Sequence, residues 1–109
     1  MSITDSRMEK ALVYLAETDP LEAELKTDML RQEQKWKSVK DATFLLYSEG
    51  SIPEKQARAN NDPITQDALE RYLNAVNAHR AMDNKRRTES MVIEVWRSVN
   101  ATRRAINIT

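Results

Sequence analysis

The stretch from Pro63 to about Arg104 carries neither a glycine nor a second proline. Asp62 supplies a capping side chain, and proline suits the first helical position, where its missing N–H costs nothing. Apolar residues recur at helical spacing at both ends. The stretch reads as one long α-helix of roughly 60 Å at 1.5 Å per residue. Ile64, Ala68, Leu69, Tyr72, Leu73, Val76, His79 and Met82 form its first apolar face. From Asp83 to Ser90 no apolar residue occurs, and the stripe resumes at Met91, Val92, Ile93, Val95, Trp96 and Val99. The tail from Ala105 to Thr109, with its β-branched residues, is expected to fray.

The rest of the chain has to cover this helix. Ser6 and Glu9 fit a capping box and open a first short helix over about 6–18, with Met8, Leu12 and Leu15 on one face beside Ala11. Thr18-Asp19-Pro20 is expected to break it. A second helix over about 20–48 carries Leu25, Met29, Gln32, Trp36, Val39, Thr43 and Leu46 in alternating steps of four and three, the spacing of a coiled-coil seam. Gly50 suits a left-handed helix end. The connection 49–62 has room for a short helix at 54–59, and its Ile52 can cover the tip.

These elements predict an all-α fold in a single domain over 1–109. It is a long antiparallel hairpin, coiled-coil-like, with a short N-terminal helix packed on it, three helices in all. Pairing outward from the loop places Leu46 near Leu69, Trp36 near Val76 and His79, and Met29 near Met82. The first helix then brings Leu12 and Leu15 to Trp96 and Val99. Arg86 or Arg87 is expected to meet Glu22, Glu24 and Asp28.

Composition agrees with soluble amphipathic helices: 40% hydrophobic, 31% charged and 6% aromatic. No cysteine is present, which excludes disulfides and thiolate metal sites and fits a cytoplasmic setting. No secretion signal or membrane span is read, the opening Met1-Ser2-Ile3 being without an apolar core. The formal net charge is +0, against a strong non-specific hold on DNA. The charge is graded, however. Residues 1–34 hold eight acids and four bases, while residues 61–109 hold eight bases and six acids.

No catalytic constellation is found, so the chain is read as no enzyme and as needing no cofactor. The single histidine, His79, has Asp83 four residues on, too few ligands for a metal. Glu22 and Glu24, two apart, do not share a helix face. Gly50 alone cannot make a phosphate-binding loop. Two basic clusters are the candidate contacts to nucleic acid or a protein partner. One is Lys35, Lys37 and Lys40 around Trp36; the other is Arg80, Lys85, Arg86 and Arg87, followed by Arg97, Arg103 and Arg104. Lysine and arginine beside an aromatic ring can hold a single strand, but both tryptophans sit on apolar stripes, and a solvated, salt-bridged face explains the same charges.

One narrow seam buries little apolar surface against the entropy of ordering the chain. A homo-oligomer is therefore expected, with Phe44, Tyr47, Met91, Val92 and Trp96 as its interface.

Lys35-Trp36-Lys37-Ser38-Val39-Lys40-Asp41-Ala42-Thr43-Phe44 and Val95-Trp96-Arg97-Ser98-Val99-Asn100-Ala101-Thr102-Arg103-Arg104 resemble segments of small helical proteins of tailed phages, found near single-strand annealing recombination genes. The resemblance covers the chain from Leu12 on and carries no catalytic signature. It implies the cytoplasm of an infected bacterium, in replication, recombination or host defence. The expected function is a self-associating helical interaction protein acting on a protein partner. The alternatives are an accessory single-strand DNA-binding factor and a small virion assembly part.

Overall fold

A computed structural model describes residues 3–108; Met1, Ser2 and Thr109 lie outside it. Three helices follow in order, α1 (Asp5–Leu46), α2 (Ile52–Asn61) and α3 (Pro63–Ile108), with no strand among the described residues. The long helices α1 and α3 pack together as a hairpin, with α2 as the short connecting element. Contacts group into two units, one of Met1–Ala23 with Arg80–Thr109 and one of Glu24–His79.

The expected break at Thr18-Asp19-Pro20 is absent: one helix replaces two, and Pro20 lies inside α1. The seam pattern explains why. The alternating steps read from Leu25 to Thr43 extend backward through Glu22, Thr18, Leu15, Ala11 and Met8 without a change of phase. Met8, Leu15, Thr18 and Glu22 are half-buried and Ala11 is fully buried. A break would forfeit that register.

Proline removes one helical N–H and crowds the carbonyl a turn earlier. The carbonyl that Pro20 leaves without a helical donor is that of Ala16, and the first unit places an arginine on the residues beside it rather than on that carbonyl. Arg86 of α3 donates from Nη1 to the Leu15 carbonyl at 2.9 Å and to Thr18 Oγ1 at 2.6 Å. Its Nη2 reaches Asp19 Oδ1 at 3.2 Å. Asp19 thus holds an arginine instead of capping a new helix. Nor does Ser6 head a capping box: α1 begins at Asp5, and Thr4 Oγ1 accepts the Arg7 N–H at 3.1 Å.

The connection is well specified locally. Ser51 caps α2 by accepting the Glu54 N–H at 3.3 Å, and Pro53 falls in the first turn, where a donor is not needed. Helix α2 starts at Ile52 rather than at Glu54. Gly50 has φ +102°, a left-handed backbone that other L residues adopt only under strain, so glycine is favoured there. Asp62 gathers the ends. Its Oδ1 accepts the Ile64 N–H at 3.0 Å and its Oδ2 accepts the Tyr47 hydroxyl at 3.1 Å.

That junction sets the register of the second unit. Helix α1 ends at Leu46, two residues short of expectation, so pairing begins earlier on α3. Thr43 and Thr65, both buried, bring their hydroxyls to 3.5 Å. Trp36 stacks on Tyr72, with centroids 5.7 Å apart and planes at 15°. Tyr72 is one turn before the expected Val76, and the Leu46–Leu69 pairing is not formed: Leu46 is 80% exposed.

The buried hydrophobics are small for the most part: Ala11, Ala59, Ala75 and Ile93, joined by Thr43 and Thr65. Leu12, expected against Trp96 and Val99, is exposed, and Ala11 takes the seam position beside it. Helix α3 also continues past the expected end at Arg104 to Ile108.

Pro20→Ala is expected to stabilise the chain by up to about 3 kcal/mol, the usual cost of proline inside a helix. Arg86→Ala is expected to cost about 2 kcal/mol, as for hydrogen bonds to a charged group. Urea unfolding of the two variants and the wild type checks both: a Pro20→Ala chain no more stable than wild type, or an Arg86→Ala chain as stable as wild type, would contradict the corresponding expectation.

Candidate functional site

The basic residues divide sharply once their neighbours are known. In the first unit, the charged interval 83–90 does not form a free cationic face. Arg86 and Glu89 fall on the seam phase of α3, which runs Met82, Arg86, Glu89, Ile93, Trp96 and Asn100. Arg86 is committed to Leu15, Thr18 and Asp19 of α1, in place of the expected Glu22, Glu24 and Asp28. Glu89 receives a two-pronged hydrogen bond from Arg7, at 2.7 and 2.9 Å. That bond holds the Glu89 carboxyl below its ordinary range, with burial opposing it, and raises the Arg7 guanidinium.

Three further cations of this unit are answered within the chain. Lys85 Nζ lies 4.9 Å from the Tyr14 ring centroid. Arg87 pairs with Asp83 at 3.1 Å and Arg97 with Glu94 at 3.1 Å, both along α3. Arg80, Arg103 and Arg104 are exposed. Trp96 is half-buried and donates its indole N–H to Asp5 Oδ1 at 2.8 Å, so its polar edge is occupied within the chain. Val92 is half-buried, while Met91 is 68% exposed.

In the second unit, Lys37 pairs with Glu33 at 2.8 Å, and the hydrogen bond lowers the Glu33 carboxyl and raises the Lys37 amine. Lys40 Nζ stands 4.7 Å over the Trp36 ring, whose neighbour is Tyr72. Trp36 therefore does not offer an open stacking face to a base. Lys35 lines a groove of about 470 Å³ between α1 and α3, with Arg31, Val39, Ile64, Asp67 and Arg71 among its walls. Asp67 answers Arg71 there at 3.2 Å. Intrachain pairs of this kind contribute little stability in water, but they cancel the local positive potential that a phosphate backbone needs.

Of the residues expected at an oligomer interface, Phe44 is half-buried and lines a cavity of about 310 Å³ with Lys40, Asp41, Gln56, Ala59 and Asn60. Tyr47 bonds Asp62, which raises its hydroxyl pKa, and lies beneath Arg58. The two most exposed large apolar residues, Leu45 and Leu46, are their neighbours in sequence. Leu45 and Leu46 are both 80% exposed, Ile64 is 65% and Ile52 is 64%. The widening of the apolar stripe at Phe44, Leu45 and Tyr47 marks this place in the sequence. It does not mark which side chain turns outward, because that follows from where α1 stops.

No helix among the described residues is long and apolar enough to cross a membrane, and no cluster of three or more metal-ligating side chains occurs among them. No family model matches the chain, and comparisons with curated proteins and with solved structures also give no match.

Because the Glu89 carboxyl is lowered by Arg7, its contribution to stability is complete above the ordinary glutamate range near pH ~4.3 and is lost as pH falls through its depressed value. The melting temperature should fall on acidification from about pH 5 to about pH 2. Glu89→Gln should flatten that fall more than Glu33→Gln does. Equal profiles for wild type and Glu89→Gln would show that the Arg7 pair makes no such contribution.

Proposed function

We propose that the chain is a non-enzymatic, self-associating helical interaction protein that acts by docking on a protein partner through apolar contacts. The observation that carries this reading is the set of large apolar side chains left outside. The buried residues are mostly alanines and threonines, larger seam residues such as Leu15, Met29 and Trp36 are half-buried, and Leu12, Val13, Leu30, Leu45, Leu46, Ile52, Ile64, Leu73 and Met91 are exposed. Isolated surface hydrophobics are ordinary, but several large ones close together mark interaction surfaces. The resemblance of residues 35–44 and 95–104 to small phage helical proteins supports a phage-encoded protein working in an infected bacterial cytoplasm.

A second reading, an accessory factor binding single-stranded DNA, has Arg103 and Arg104 in its favour, both exposed near the end of α3. Most of the other basic residues face carboxylates or rings of their own chain, which favours the protein-binding reading.

Affinity purification of the tagged chain from cells that carry its gene, washed at rising salt, tests the choice. A co-eluting protein that survives high salt is expected, since apolar contacts are not screened as charges are. Only nucleic acid co-eluting, lost as salt rises and lost in Arg103→Glu/Arg104→Glu, would replace the first reading with the second.

A further inference from the structure

We infer that the chain self-associates by laying the outward stripe of α1, Glu9, Val13, Glu17, Leu21 and Glu24, into the groove between α1 and α3 of a second copy. This rests on the proposed self-association and names the two surfaces that make it.

The stripe follows from helical phase. At about 100° per residue its positions fall within about 120° of the helix circumference, on the side away from the seam residues Met8, Ala11, Leu15 and Thr18. Val13 is 53% and Leu21 44% exposed. The three glutamates are exposed as well, and none has a partner among the described residues. Between Glu9 and Glu24 the sequence holds one base, Lys10. The stripe is therefore apolar and acidic in alternation, with nothing of its own chain laid over it.

The groove of about 470 Å³ has the opposite character. Val39 and Ile64 give it an apolar wall, Ile64 being 65% exposed. Arg31, Lys35 and Arg71 line it against one acid, Asp67. Asp67 engages Arg71, at 3.2 Å. Arg31 reaches Asp28 only at 3.8 Å, and Lys35 has no acid partner among the described residues. A groove between two helices accepts the apolar face of a third, and surplus positive charge along it selects an acidic helix. This chain carries such a face. The lengths agree: the groove runs eight residues along α1, from Arg31 to Val39, and Val13 and Leu21 are also eight residues apart, about 12 Å in each case. Pairing either surface with itself would set like charges together, so the stripe of one copy meets the groove of the next, a heterologous contact.

The test is sedimentation velocity over a concentration series of the full chain, with circular dichroism to follow the fold. The wild type is expected to rise above 12.6 kDa with concentration. Arg31→Glu/Lys35→Glu and, separately, Glu17→Lys/Glu24→Lys should each weaken association at least about 100-fold, because like charges then face each other across the contact. Helix content should not change, since all four positions are exposed. Mixed one to one, the two variants should associate again, because the native stripe of one chain meets the native groove of the other. Arg103→Glu/Arg104→Glu, a reversal outside the groove, should associate as the wild type does. Undiminished association of either variant alone, a mixture no tighter than its components, or dissociation by Arg103→Glu/Arg104→Glu overturns this assignment while leaving self-association standing. A wild type that stays at 12.6 kDa at every concentration overturns both.

Discussion

The fold depends on a seam, mixed in side-chain size and polarity, that keeps a single phase along each long helix. On α1 the phase runs from Met8 to Thr43, and on α3 from Thr65 through Tyr72, Ala75, His79, Met82, Arg86, Glu89 and Ile93 to Trp96. Alternating steps of three and four are what two helices need to keep the same faces in contact. Alanine and threonine at these positions let the backbones come close, as at Thr43 and Thr65. The same demand carries α1 through Pro20. In the first unit the arginine on the seam meets a backbone carbonyl, a hydroxyl and a carboxylate near that proline. Residues that look like a solvated basic run in the sequence thereby become internal to the packing.

A seam of this kind settles which side chains are left over. Large hydrophobics off the seam phase, such as Leu12 and Leu45, have no helix of their own chain to lie against and remain exposed. Leu46 holds a seam position but lies past the last pair that the Asp62 junction permits. The architecture therefore leaves its large apolar groups available to other chains. The cations are mostly not available in the same way, because Glu33, Asp83, Glu94, Tyr14 and Trp36 answer them locally. Both facts favour an apolar contact with protein over an electrostatic contact with nucleic acid.

Much of this was legible in the sequence. The helix beginning at Pro63, the Gly50 turn, the Asp62 cap and the ladder from Leu25 to Thr43 all rest on local chemistry, and the structure contains each. The continuity of α1 was legible as well, in the unbroken steps from Met8 to Leu25, but a proline preceded by a capping residue is the stronger local signal, and it points the other way. What outweighs it is seam packing on both sides of Pro20, which no local signal displays. The register was less accessible. It follows from α1 ending at Leu46 and from one hydrogen bond, Tyr47 to Asp62, and a change of one turn decides whether Trp36 meets Tyr72 or Val76. The exposure of Leu46 and Ile64 follows from that register, and neither stands among the interface residues expected from the sequence, Phe44, Tyr47, Met91, Val92 and Trp96.

The register is open to a direct measurement, because the chain has no cysteine of its own. Two double variants, Thr43→Cys/Thr65→Cys and Leu46→Cys/Leu69→Cys, can be oxidised under mild conditions and scored for an intrachain bridge. Disulfides form only between Cα atoms within about 7 Å. Rapid, complete bridging of the first pair, with the second remaining reduced, is the result that the seam requires. Preferential bridging of the second pair would place the helices about two turns away, and would contradict both the seam and the exposure of Leu46 that depends on it.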